Sequence, residues 1–186
     1  MAWALAVDVV LSLHNDINCE LVGSTGVSKR WQDRSMTVSF TCRTRIGMEP
    51  GELFDLSRNV DAHVGSMAKS RERAVAGVVS GLLSEGDEVT WQAWHFAVPL
   101  RMSSRITRFR FPESFTDEQV RGPFRFFRHM HEFIPDDGGT LMIDRVEFAA
   151  PFGVVGRIAE KAFLGRYLRN LIEKRNEYLA RNGAAA

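Results

Sequence analysis

Residues Thr37 to Ile46 alternate: Val38, Phe40, Cys42, Thr44 and Ile46 fall on one side, Ser39, Thr41, Arg43 and Arg45 on the other. A period of two in β-branched and aromatic residues predicts a strand with one buried face. Glu49-Pro50-Gly51-Glu52 then opens a short helix carrying Leu53, Phe54 and Leu56, and a second is expected from about Val60 to Met67. Six strand-like runs follow: Ala74–Leu82, Glu88–Phe96, Leu100–Phe111, Phe115–Val120, Phe124–Ile134 and Thr140–Ala149. Between them lie short turn-forming breaks such as Ser84-Glu85-Gly86-Asp87, Val98-Pro99 and Asp136-Asp137-Gly138-Gly139. That pattern predicts an antiparallel meander. After Pro151-Phe152-Gly153, apolar residues including Val155, Ile158, Phe163, Tyr167, Leu168, Leu171, Ile172 and Leu179 recur every three or four positions, as on an amphipathic helix. About 27 residues of helix span roughly 40 Å, and Asn182-Gly183 provides a stop.

The expected fold is therefore α+β: a seven-stranded curved antiparallel sheet, two short helices after its first strand, and one long C-terminal helix. A sheet with one apolar face must curl around something to bury it, and the last helix is the element long enough. Residues 1–35 read differently. Ala2 to Leu13 is apolar but is interrupted by Asp8 and preceded by no Lys or Arg, so it makes a poor signal peptide. We expect an N-terminal extension or misassigned start over 1–35, a ligand-binding domain over 36–182 and a tail over 183–186.

Composition narrows the function. Of 186 residues, 24 are Lys or Arg and 23 Asp or Glu, for a formal charge of +1. That near balance argues against bulk electrostatic attraction to nucleic acid or an anionic membrane. No apolar run approaches the ~20 residues a spanning helix needs, so no stable membrane insertion is expected. Cys19 and Cys42 make no disulfide framework and no CxxC pair, and a reducing cytoplasm is the expected location.

The order of elements from about Met36 to Arg181 resembles the START-like or SRPBCC superfamily, whose members share the helix-grip (START/Bet v 1-like) fold. The residues carrying the match include Gly86-Asp87-Glu88-Val89-Thr90-Trp91, Trp94-His95-Phe96, Phe115-Thr116-Asp117-Glu118-Gln119-Val120-Arg121-Gly122-Pro123-Phe124, His129-Met130-His131-Glu132-Phe133 and Gly139-Thr140-Leu141-Met142-Ile143-Asp144. More narrowly, the chain is similar to bacterial members described as cyclase/dehydrase-like or ligand-binding. The resemblance implies a hydrophobic small-molecule ligand, no cofactor, and either carriage or polyketide cyclase/dehydrase-like chemistry.

Turn lengths predict which residues share a face, because directly opposed residues of an antiparallel pair point the same way. A four-residue turn at Asp136–Gly139 sets Phe133 opposite Met142, His131 opposite Asp144 and His129 opposite Val146. A similar turn at Ala97–Leu100 sets His95 opposite Met102 and Trp91 opposite Ile106; one at Phe111–Ser114 sets Arg108 opposite Asp117. A three-residue turn at Gly122–Phe124 would put Asp117 opposite His129. The inner face is thus expected to carry Trp91, His95, Met102, Ile106, Arg108, Asp117 and Gln119, with Phe127, His129, His131, Phe133, Met142, Asp144, Val146 and Phe148. Cavity walls are expected from Trp91, Met102, Ile106, Phe127, Phe133, Met142, Phe148 and Phe163, and polar anchors from His95, Asp117, His129, His131 and Asp144.

Three chemistries compete for the histidines and aspartates. They can satisfy one another as cross-strand pairs, orient a ligand's carbonyl or hydroxyl, or let His131 and Asp144 act as acid and base. Two imidazoles on one strand face without H-E-x-x-H or Cys–His spacing do not predict a metal site, and none is expected. The arginines from Arg101 to Arg128 read as a solvated face rather than a nucleic-acid surface, although Arg157, Lys161, Arg166, Arg169 and Lys174 leave open a transient contact with a membrane surface or a protein. A third reading is a protein-interaction module with a filled cavity.

Overall fold

The computed structural model describes residues 17–22, 37–95, 97–149 and 163–183. Eight strands form one sheet: β1 (Ile17–Val22), β2 (Val38–Ile46), β3 (Arg73–Gly77), β4 (Glu88–His95), β5 (Val98–Arg110), β6 (Ser114–Arg121), β7 (Phe126–Asp136) and β8 (Gly139–Ala149). The helices are α1 (Pro50–Ser57), α2 (Val60–Ser66) and α3 (Gly165–Gly183). Strand order is β1-β2-β8-β7-β6-β5-β4-β3, every neighbouring pair antiparallel. Two short helices follow the β2 strand and a long one packs on the sheet, as in a helix grip.

Eight strands replace the expected seven. The additional one, β1, lies inside the segment expected as an extension, and pairs along β2 from Ile17↔Thr44 to Val22↔Ser39. Its register sets Cys19 opposite Cys42, and the two sulfurs form a disulfide. The expectation that the cysteines stay unpaired is corrected here, for a spacing argument cannot see that two strands bring them face to face. β3 ends at Gly77, whose φ of 74° and the register shift between Ala74 and Ala76 halt the run that was expected to reach Leu82. The expected helix from about Val155 lies partly outside the described residues; α3 holds its C-terminal part.

The β7–β8 register matches the turn argument: Phe133↔Met142, His131↔Asp144 and His129↔Val146, closed by Gly138 at φ 77°. The β6–β7 register also sets Asp117 opposite His129. Two registers differ. The β4–β5 turn is tighter, pairing His95 with Val98 and Trp91 with Met102. A shift by an even number of residues preserves faces, so Trp91, Met102 and Ile106 still share one. In β5 a bulge between Ile106 and Arg108 pairs Ile106 with Asp117 and Arg108 with Thr116. One extra residue flips everything beyond it. Arg108 is therefore exposed, not on the inner face, and Phe109 takes its place against the core.

The inner face packs in two clusters. One centres on Phe54 of α1, whose ring meets Phe109, Phe111, Phe115 and Phe133 at centroid distances of 5.1–5.3 Å. The other holds Val38, Phe40, Cys42, Phe127, Val146, Phe148 and Ile172. On the outer face, arginines pair across strands: Arg105 with Glu88, Arg128 with Glu118, Arg145 with Glu132.

Candidate functional site

Between the two clusters the sheet and helices do not meet, leaving a cavity of about 200 Å³. The sheet supplies Trp91, Ala93, Met102, Ile106, Phe115 and Phe127; α2 supplies Val60 and His63; α3 supplies Leu168, Leu171, Ile172 and Arg175. Of the residues expected at a ligand site, Trp91, His95, Met102, Ile106, Asp117, Phe127, His129 and His131 line this cavity. The others lie elsewhere. Phe133 and Met142 are buried in the Phe54 cluster, and Phe148 in the second. Phe163 is exposed just before α3, because the apolar stripe facing the sheet is carried by residues further along the helix. Gln119 ties its own loop, donating from Nε2 to the Phe124 carbonyl (2.7 Å) and accepting from the Phe124 N–H.

Asp144 lies behind the cavity wall and is fully buried. His129 Nε2 donates to its Oδ1 (2.9 Å), and His131 Nδ1 approaches the same oxygen at 2.8 Å, off the line of a hydrogen bond. Asn176 Nδ2 donates to Oδ2 (2.7 Å) and also reaches Thr44 Oγ1 (3.0 Å). The Arg175 guanidinium stands 3.6 Å from Oδ1 and donates to the Ser57 carbonyl at 2.9 Å. Asp117 sits on the cavity side of the histidines, 3.4 Å from His131 Nε2 and 3.8 Å from His129 Nδ1.

These contacts set the protonation states. Burial pushes the Asp144 carboxyl up, but the two histidines outweigh it and hold the group well below the usual carboxylate range. Asp117 follows the same logic: burial raises it, while His131, His129 and Arg175 bring it below its ordinary value. Burial, helped by the neighbouring His131, lowers His129 and so favours its neutral form, against the pull of Asp144 and Asp117.

A second polar group lines the other side. His63 Nε2 meets the Glu72 carboxylate at 3.1 Å while its ring lies against Trp91 at 4.3 Å. His95 Nδ1 and the Tyr167 hydroxyl are 2.6 Å apart. Burial lowers His95 despite the nearby Glu72, and raises Tyr167.

Sequence reasoning missed Arg175, Asn176, Thr44 and Glu72. For the first two a signal exists. Ile172 and Leu179 are buried on the sheet side of α3, and Arg175 and Asn176 occupy the turn between them. Charged or amide residues inside an apolar stripe are expected to answer buried polar partners.

The chain has the helix-grip fold, and its structural neighbours are Bet v 1-like/SRPBCC proteins at low identity. TTHA0849 from Thermus thermophilus superposes with a TM-score of 0.64 at 13% identity, covering 78% of this chain and 96% of that one. Ara h 8.0201 gives 0.55 at 12% identity, over 77% and 97%. The di-domain aromatase/cyclase StfQ of the steffimycin biosynthetic pathway gives 0.65 at 9% identity, over 82% of this chain and 52% of its own. No protein-family profile matches the sequence, and no curated protein matches it either. Among the described residues no helix is long and apolar enough to cross a membrane.

Proposed function

We propose that the protein binds and carries a compact hydrophobic small molecule in the cavity between sheet and α3, oriented by the Asp117–His129–His131 wall. The observation that carries this reading is the composition of one continuous surface: apolar side chains from sheet and helices, with charged and imidazole groups gathered at defined points. That combination is how small-molecule sites bind and orient at once. A volume near 200 Å³ is below the usual range of roughly 300–1,000 Å³ and favours a compact aromatic or isoprenoid over a long acyl chain. Proteins of this fold typically bind hydrophobic ligands, which agrees. The cytoplasm remains our proposed location, but the Cys19–Cys42 bond stands against it, because disulfides are rare in a reducing compartment: two free thiols in the native protein would support it and an intact bond would overturn it.

A second reading, a cofactor-independent cyclase or dehydratase, is favoured by the cavity-facing histidines backed by a carboxylate, the layout of an oriented general base. Native mass spectrometry of freshly purified protein, then denaturing extraction, tests the carrier reading: a hydrophobic molecule released on denaturation is expected. Protein that neither arrives with such a molecule nor acquires one from an aromatic and isoprenoid panel would overturn it. Trp91→Ala should then weaken affinity about tenfold or more; His131→Gln separates the enzyme reading by abolishing turnover while binding persists.

A further inference from the structure

His131 lies between two carboxylates, with Nδ1 2.8 Å from Asp144 Oδ1 and Nε2 3.4 Å from Asp117 Oδ2. A neutral imidazole carries one ring proton, so one of these oxygens faces a lone pair. The Nε2–Asp117 contact has hydrogen-bond geometry and the shorter Nδ1–Asp144 contact does not, so a ring that offers its Nε2 lone pair must carry its proton on Nδ1, facing Asp144. His129 repeats the arrangement: Nε2 donates to the same Asp144 oxygen, leaving the Nδ1 lone pair 3.8 Å from the same Asp117 oxygen. Three electron-pair donors from three side chains therefore converge. Both rings are buried, and all three residues border the cavity.

We propose that Asp117 Oδ2, His129 Nδ1 and His131 Nε2 form a binding site for a divalent transition metal such as Zn²⁺, with an open coordination position facing the cavity. Bonds of about 2.1 Å in tetrahedral geometry put ligand atoms about 3.4 Å apart. The two imidazole–carboxylate separations are already 3.4 and 3.8 Å, and the three residues can each offer one ligand atom within 4.8 Å of the other two. Asp144 completes the design from behind. Metal-bound histidines hand their second N–H to a carboxylate, which fixes the tautomer and turns the lone pair to the ion; here one carboxylate oxygen faces both rings, and Asn176 holds the other. Two imidazoles and a carboxylate suit zinc or ferrous iron better than calcium or magnesium.

The charges also define the ligand. Asp117, Asp144 and Arg175 together carry one net negative charge, so a bound divalent ion leaves the cluster with one positive charge. An anionic oxygen, a carboxylate or enolate on an otherwise hydrophobic molecule, would neutralise it at the open position. This second statement rests on the carrier reading; the metal site does not.

The test uses the full chain, stripped with chelator and titrated with Co²⁺ and Zn²⁺. One equivalent of Co²⁺ should bind with visible d–d absorption and be displaced by Zn²⁺, and Zn²⁺ should raise the wild-type melting temperature. Asp117→Asn, at a position one-fifth exposed and so tolerant of an isosteric change, should weaken binding at least tenfold and lose the thermal shift. His131→Gln should do the same, whereas His63→Gln, at the other polar group, should not. No stoichiometric binding by folded wild type would overturn the proposal. Binding that survives Asp117→Asn and His131→Gln would overturn it as well. A metal bound without any anionic ligand preference would remove only the ligand statement.

Discussion

Two neighbouring patches of the same sheet face behave oppositely. Around Phe54 the face is filled, with four aromatic rings closing on a fifth. Two residues further along the strands, Asp117, His129 and Arg175 border a cavity with Asp144 behind them, and every charge is answered by another. The first patch is held by burial, which is non-directional and tolerant of small changes in volume. The second is held by directional contacts, whose loss leaves a desolvated charge behind. The aromatic patch therefore tolerates changes that the charged patch does not.

Four substitutions or conditions would break the comparison, in descending size of effect. Phe54→Ala removes the ring on which the aromatic cluster closes, and should cost about 3–5 kcal/mol in denaturant unfolding. Asp144→Ala should cost nearly as much, about 3–5 kcal/mol, by leaving Arg175 buried without its counter-charge. The contrast sharpens in combination: Asp144→Leu with Arg175→Met should destabilise far less than the two single changes summed, because both charges go together. Cys19→Ser opens a link of 23 residues between β1 and β2 and should cost roughly 3 kcal/mol by the loop-entropy argument, read as a lower unfolding midpoint under non-reducing conditions.

The smallest effect is a pH dependence at Glu72. Burial raises its carboxyl, but the His63 hydrogen bond and charge prevail and lower it. A group depressed in the folded state contributes stability above its unfolded value, about 4, and loses it as pH falls through the folded value. The stability gap between wild type and Glu72→Gln, measured by urea unfolding, should therefore be present at neutral pH and close only below about pH 4.

Much of this was legible in the sequence, for identifiable reasons. The β7–β8 hairpin could be registered because Asp136–Gly139 is a tight turn with a glycine at positive φ, leaving one pairing for two alternating strands. The β4–β5 register was displaced by four residues yet kept its faces, since parity alone decides which side a residue takes. The bulge beside Thr107 was invisible, because nothing in Arg105-Ile106-Thr107-Arg108 marks an inserted residue. β1 was missed because Ile17, Cys19 and Leu21 are a short alternation among turn-forming neighbours. The site was half legible: strand positions brought Asp117, His129, His131 and Asp144 together, but the residues locking them come from α3, whose depth against the sheet no strand register predicts.

The space between sheet and α3 is where we propose that a ligand binds. Ala93 is buried with its side chain on that space, so Ala93→Phe puts a ring where a ligand would sit without touching the polar wall. Equilibrium titration of both proteins with an anilinonaphthalene sulfonate probe is the direct measurement, with thermal melting as the folding control. One saturable site is expected in the wild type and its loss in the folded Ala93→Phe variant; equal binding to both would contradict a ligand site in this space.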